Sequence, residues 1–253
     1  MDYLLNELKR KKLERDSKNI CYFSLNNQFI VFHYKKYIET KYCTQWINWI
    51  KKNIEFPKEN YVILGGEKKL TPRLQTAFGD AGTRYTFSGV TIEPKLWKKP
   101  LLQLKKLVED IAGCKFNFCL LNYYRDGNDS IGAHRDKEDE IDKTAPIASL
   151  TFGERRLFKF ENDDKVSPSF HKFTRTGSPS VALEDSPSGP SFHKFTRTGS
   201  NVKFKKEFFI SNGDIVIFHP PTNSFNKHSL PKDDSTRPRW NFTFRKLISD
   251  KIK

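Results

Sequence analysis

Outside one amphipathic segment at 98–112, the apolar residues of this chain recur at about every second position from residue 84 onward. Aromatic and β-branched runs occupy 84–92, 115–124, 146–152, 156–161, 202–210, 214–219 and 239–247, and such side chains suit a pleated, half-buried surface. Turn sequences separate several of them: Asp126-Gly127-Asn128-Asp129, Asn212-Gly213-Asp214 and Pro220-Pro221-Thr222-Asn223. Many short strands must pair with one another and bury a face, which predicts an antiparallel sandwich or barrel. Two segments follow the helical period instead. Tyr37, Cys43, Trp46, Ile47 and Ile50 mark one over 37–53, and Leu101, Leu102, Leu104, Leu107, Val108 and Ile111 mark another over 98–112. Both are expected to pack outside the strands. Leu4, Leu5 and Leu8 predict a short peripheral helix over 2–16.

The charge balance narrows the partner. Lys plus Arg number 45 against 30 Asp plus Glu, a net charge of +15, which favours a polyanion, nucleic acid ahead of an anionic membrane surface. With 22 Phe, 9 Tyr and 4 Trp, the chain is too aromatic for a disordered basic tail. No run of about 18 apolar residues is present for a membrane span, and Met1 to Lys12 is charged, so an intracellular protein without membrane association is expected. Cys21, Cys43, Cys114 and Cys119 show neither CxxC spacing nor a paired His cluster, which argues against a zinc knuckle or a disulfide framework. The basic excess is uneven: residues 122–162 hold seven Lys and Arg against nine Asp and Glu.

Between 163 and 200 the sequence Pro168 to Ser178 recurs letter for letter as Pro190 to Ser200. Two copies are too few for a solenoid. A surface insertion in an exposed, flexible loop is expected, with a basic-aromatic strap for nucleic acid as the alternative.

Within the acidic stretch, Leu121 to Asp136 ends in His134-Arg135-Asp136. On extended backbone, positions i and i+2 point the same way, so the imidazole and the carboxylate converge. Two His and one carboxylate on one face are what a non-haem Fe(II) oxygenase uses, with coordination positions left open. Of the six histidines, His33 lies in the N-terminal part, His171 and His193 lie in the insert, and His219 ends an apolar strand and reads as a structural imidazole. His228 is the best candidate for a further ligand. In Arg239 to Arg245 the alternation places Trp240, Phe242 and Phe244 on one face and Arg239, Asn241, Thr243 and Arg245 on the other. The two guanidinium groups, about 20 Å apart along a strand, suit the two ends of a dicarboxylate site or separate bidentate contacts.

Six blocks then carry a resemblance: Gln75 to Gly89 (QTAFGDAGTRYTFSG), Asn122 to Asp136 (NYYRDGNDSIGAHRD), Pro146 to Gly153 (PIASLTFG), His219 to Asn223 (HPPTN), His228 to Pro231 (HSLP) and Pro238 to Lys246 (PRWNFTFRK). In this order, from about 60 to 247 apart from the insert, the chain resembles the AlkB family of alkylated-nucleic-acid dioxygenases. The resemblance implies an α+β, mainly β fold: a double-stranded β-helix (jelly roll) core with the N-terminal helices packed outside. It sets that domain at 36–247, after an N-terminal extension at 1–35 and before a tail at 248–253. It implies Fe(II), 2-oxoglutarate and O2 as cofactor and cosubstrates, with His134, Asp136 and His228 as iron ligands. Asn122, Tyr124, Arg239, Thr243 and Arg245 would bind 2-oxoglutarate, Arg239 at the distal carboxylate and Arg245 nearer the metal-bound end. Tyr85 and Phe87 match the damaged-base pocket, with Arg73, Lys137, Glu138 and the segment Leu64-Gly65-Gly66 also facing substrate.

The implied reaction is oxidative demethylation of 1-methyladenine and 3-methylcytosine in DNA, releasing formaldehyde, succinate and CO2. A methyl group on a pairing nitrogen weakens pairing and lowers the cost of extruding the base. RNA as substrate, or nucleic-acid binding without catalysis, are the alternatives. A duplex-preferring member of the family inserts a bulky aromatic where this chain has Ile63-Leu64-Gly65-Gly66, so only Leu64 could act as a wedge and single strands remain open. Lys137 stands where that member has an acid, and the insert has no counterpart. Tyr3-Leu4-Leu5 is faintly similar to a sliding-clamp-binding peptide, but Asp2 and Asn6 replace its basic flanks and a helix start is preferred. The expected partner is alkylated DNA, single- or double-stranded, or RNA; a monomer, nuclear in a eukaryote, is expected.

Overall fold

The computed structural model describes residues 19–24, 29–162, 170–174 and 205–248. The helix expected over 2–16, the Tyr3-Leu4-Leu5 segment, most of the insert with its second repeat copy, and residues 249–253 lie outside the described residues.

Two sheets dominate. Among the described residues, the major sheet has nine strands in the order Phe170–Thr174, Asn19–Ser24, Ile30–Tyr34, Ile215–His219, Ile147–Gly153, Arg239–Arg245, Phe118–Tyr124, Leu74–Gly79 and Lys95–Leu96. All neighbours are antiparallel except the last pair. The minor sheet runs Ile131–His134, Lys227–Leu230, Arg156–Glu161 and Lys205–Ile210, antiparallel throughout. From Phe118 onward the chain passes back and forth between the two sheets, which winds them into a double-stranded β-helix.

Each face of the major sheet has its own core, so the sheet is covered on both sides. Between the sheets, Tyr124, Ile147, Val216 and Phe218 meet Phe158, Phe160, Ile210 and Leu230. On the opposite face, Leu150, Phe152, Trp240, Phe242 and Phe244 pack under two helices, Thr40–Asn53 and Lys99–Ala112. The first helix buries Tyr42, Cys43, Trp46 and Ile50, and Trp46 stacks on Phe152 at 6.0 Å. The second carries Pro100 in its first turn and stops at Gly113, whose φ of 63° is the left-handed region that glycine enters without strain. It buries Leu101, Leu104, Leu107, Val108 and Ile111 and leaves Leu102 44% exposed.

Strands begin well before residue 84, a correction to the sequence reading. Ile30–Tyr34 and Leu74–Gly79 belong to the major sheet, and because both faces of that sheet are covered they show no alternation to read. Two hairpins were not read as hairpins from the sequence. Tyr61–Leu64 pairs with Glu67–Leu70 about Gly65 and Gly66, both at positive φ, the pair a two-residue hairpin turn favours. Tyr85–Phe87 pairs with Val90–Ile92, so the run at 84–92 is two strands and a turn. Ile63 N donates to Ser88 O at 2.8 Å, joining the hairpins. Part of the first repeat copy, Phe170–Thr174, is the edge strand of the major sheet and pairs with Asn19–Ser24, rather than exposed loop. Among the described residues no helix is long and apolar enough to cross a membrane.

Candidate metal centre and adjoining cavity

His134 and His228 lie directly opposite each other on neighbouring antiparallel strands, with ring centroids 4.3 Å apart. Asp136, two residues further on, returns its Oδ1 to 3.5 Å from His134 Nε2 and 3.9 Å from His228 Nε2. Among the described residues these three make up a group whose ligand atoms all lie within 4.8 Å of one another.

The surroundings orient each group and set the charge of two of them. His134 Nδ1 is 2.8 Å from Gly132 O, a contact in which Nδ1–H donates and which turns Nε2 to the side of Asp136. His228 is packed among the rings of Phe158, Phe160 and Phe218. Burial, then the neighbouring His134, push its pKa down to about 3, so it is a neutral imidazole at physiological pH, the form that binds metal. Burial alone would raise the Asp136 pKa, but the Arg245 guanidinium holds that carboxyl well below the usual range. Arg245 Nε donates to Asp136 Oδ2 at 2.8 Å and Nη2 stands 2.7 Å from the same oxygen as an ion pair, which leaves Oδ1 turned to the histidines. The Asp136 backbone is pinned by Asn223, which accepts from its N–H at 3.0 Å and donates to its carbonyl at 2.6 Å. Two imidazole nitrogens and one carboxylate oxygen meeting at one point fit a two-His, one-carboxylate iron site.

A cavity of about 450 Å³ opens beside this centre. One wall is the polar face of Arg239–Arg245, a central strand whose seven residues are all buried. Arg239 Nη2 donates to Thr151 Oγ1 at 2.9 Å and Asn241 Oδ1 at 2.8 Å, and its guanidinium lies 5.1 Å from the Tyr124 ring centroid. Burial pushes its pKa down to about 10, still above neutrality. Arg239 Nε and Arg245 Nη1 are buried without hydrogen-bond partners. A buried donor left unsatisfied is costly, and two cations with spare donors lining one cavity suit an anion with two ends, such as 2-oxoglutarate.

Ser149 and Thr151 were missed by sequence reasoning, which placed Asn241 on the polar strand face but gave it no role. Ser149 Oγ donates to Asn241 Oδ1 at 2.9 Å and Asn241 Nδ2 to Thr243 Oγ1 at 2.9 Å. The available signal was the polar residue at every second position in Ser149-Leu150-Thr151, facing Asn241 across the ladder.

Towards the mouth, the Tyr85 and Phe87 rings stack at 6.0 Å and 16°. Tyr85 is buried beside Glu138 in the same cavity and has the Arg245 guanidinium 5.4 Å from its ring centroid. Burial and then the Asp136 charge push the Glu138 carboxyl up. Arg73 Nε and Gln75 Nε2 both donate to Asn122 Oδ1, at 3.0 and 2.9 Å, leaving the Asn122 amide nitrogen for a ligand. Asn122, Tyr124, Thr243, Arg73, Tyr85, Phe87 and Glu138 thus share the cavity with the metal group. Gly65 and Gly66 do not line it; they form the tip of the hairpin whose Val62, Lys69 and Leu70 do. The Leu64 side chain lies outside the description. Lys137 is exposed and borders a separate depression of about 210 Å³. His33 is fully buried with Nε2 2.8 Å from Asp214 Oδ2, and His219 is half-buried, edge-on to Phe32 at 5.3 Å; neither joins the centre.

Residues 31–245 match the 2OG-Fe(II) oxygenase superfamily. The chain is 37% identical over 189 residues to the DNA oxidative demethylase ALKBH2 of Homo sapiens, an alignment covering 74% of this chain and 60% of that protein. To the alpha-ketoglutarate-dependent dioxygenase alkB homolog 3 of Bos taurus it is 30% identical over 182 residues, covering 71% and 53%. The chain therefore spans less than two thirds of the length of these relatives. The solved structure of OsALKBH1 superposes with a TM-score of 0.53 at 13% identity, covering 85% of this chain and 96% of that one, a likeness of fold.

Proposed function

As the chain belongs to the AlkB family of the 2OG-Fe(II) oxygenase superfamily, we propose that it oxidatively demethylates N-alkylated bases, chiefly 1-methyladenine and 3-methylcytosine, in DNA. The observation that carries this reading is the placing of His134, Asp136 and His228 in one cavity with two buried arginines and a stacked aromatic pair. The substrate class rests on the similarity to a DNA oxidative demethylase and on the net charge of +15.

Bound Fe(II), with O2 and 2-oxoglutarate, supplies the oxidation that converts the N-methyl C–H to C–OH while 2-oxoglutarate leaves as succinate and CO2. His134, Asp136 and His228 would hold the ion. Arg245 keeps Asp136 ionised and aims one oxygen at the histidines. Arg239, fixed by Thr151 and Asn241, takes the distal carboxylate, and Asn122, Tyr124 and Thr243 complete that subsite. Tyr85 and Phe87 stack on the extruded base, and Arg73 and Glu138 meet its edge. Fixing base and cosubstrate in one enclosed space is the protein's main contribution. The hydroxymethyl product then breaks its N–C bond, returning N–H on the base and releasing formaldehyde. The hairpin tip Leu64-Gly65-Gly66 carries no aromatic residue, which favours single strands, DNA or RNA, over duplex.

Protein reconstituted with Fe(II) and 2-oxoglutarate without oxygen, then exposed to air, should release formaldehyde from a methylated oligonucleotide. His134→Ala should abolish the release. Folded, iron-loaded wild type that yields none contradicts the proposal.

A further inference from the structure

Arg156 is 1% exposed and is itself neither one of the three candidate ligands nor one of the residues lining the cavity, though its guanidinium lies 6.0 Å from the ring centroid of Tyr124, which does line it. Its guanidinium closes on two loops. Nη1 donates to Asp126 O at 3.0 Å, and Nη2 reaches Asp129 O at 3.0 Å, Pro231 O at 2.7 Å and Gly127 O at 3.4 Å. Nε stands 2.7 Å from Asp233 Oδ2, an ion-pair distance without hydrogen-bond alignment. Four carbonyls and a carboxylate compensate a buried cation that would otherwise be costly.

The loops are those that border the histidine strands. Residues 126–130 lead into Ile131–His134, and residues 231–235 leave Lys227–Leu230. Ile131 lies opposite Leu230 and His134 opposite His228, but the register shifts between these two pairs, so the ladder holding His134 against His228 is short and irregular. The loops themselves touch: Gly127 N donates to Ser235 O at 2.6 Å and Asp233 N to Gly127 O at 3.0 Å. A Cβ on Gly127 would stand 2.2 Å from Asp233 O, so only glycine permits this approach. Arg156 opens the strand Arg156–Glu161, in which Phe160 pairs with His228. One side chain therefore ties together the strand beside His228, the loop before His134 and the loop after His228.

We propose that Arg156 is a positioning residue that sets the separation of His134 and His228. The proposal rests on the reading of His134, Asp136 and His228 as a metal centre. A guanidinium is required because a lysine ammonium lacks the planar fork that reaches both loops at once.

The test uses full-length protein, with Co(II) binding followed by its visible absorption and the fold by circular dichroism. Arg156→Met should weaken Co(II) binding by about tenfold or more, the range seen when outer contacts of metal ligands are lost, and change the absorption bands. Arg156→Lys should fall between Arg156→Met and wild type. Metal-free affinity for an oligonucleotide should stay at the wild-type value. Folded Arg156→Met that binds Co(II) within about twofold of wild type overturns the proposal; should that variant not fold, wild-type binding by Arg156→Lys overturns it equally. Wild type that binds no Co(II) defeats the metal-centre reading and this proposal together. Wild type that binds Co(II) yet demethylates nothing defeats only the proposed reaction.

Discussion

Asp136 has two oxygens with two different tasks: Oδ2 takes both contacts from Arg245, and Oδ1 faces the histidines. Removing one member of a buried ion pair costs about 3–5 kcal/mol, since the remaining charge has neither water nor partner. Arg245→Met should accordingly lower the melting temperature of the metal-free protein markedly. Added divalent metal should then raise it more in the variant than in wild type, because the ion supplies the missing positive charge. Equal increments in calorimetry would show that Arg245 does not compensate Asp136. Of this site, His134 and Asp136 were legible because a spacing of two on extended backbone places both side chains on one side. His228 was only the best remaining histidine until the family resemblance named it. The turn of Arg245 towards Asp136, 109 positions away in sequence, leaves no local pattern. Ser149 and Thr151 were hidden inside a run that reads as ordinary strand.

The helices were the most legible elements, because their apolar spacing is bounded by stops such as Gly113. Trp46 anchors the first of them with no exposed surface, and Trp46→Ala should cost about 3–5 kcal/mol in denaturant unfolding; a loss below about 1 kcal/mol would mean that the helix does not hold the outer core. The strands bearing His134 and His228 were not legible. Each is four residues long, and Ile131–His134 buries none of its residues fully, with Ile131 alone packing against the core between the sheets. The hairpin Tyr61–Leu70 was read only as the sequence Ile63-Leu64-Gly65-Gly66, although its paired glycines are a turn signal. Its position at the cavity mouth carries a prediction. Leu64→Phe should raise the ratio of duplex to single-strand demethylation, measured by formaldehyde release from matched substrates, since an aromatic at the tip can enter the base stack. An unchanged ratio would remove the hairpin tip from duplex recognition.

In the whole molecule the major sheet separates two environments. The strand Arg239–Arg245 turns Trp240, Phe242 and Phe244 to the helices and its arginines, Asn241 and Thr243 to the cavity. That division followed from simple alternation, and it is why the polar face proved buried rather than solvated. The net charge of +15 indicated a polyanion but could not locate the candidate metal centre, two of whose three residues, His134 and Asp136, lie in the net-acidic stretch 122–162. The central claim is that this centre couples consumption of 2-oxoglutarate to removal of an N-methyl group from nucleic acid. Succinate and formaldehyde measured together, with methylated and unmethylated strands of one sequence, test it most directly. The account predicts formaldehyde approaching one per succinate on the methylated strand and little of either product on the unmethylated one; succinate formed equally on both strands, without formaldehyde, would contradict it.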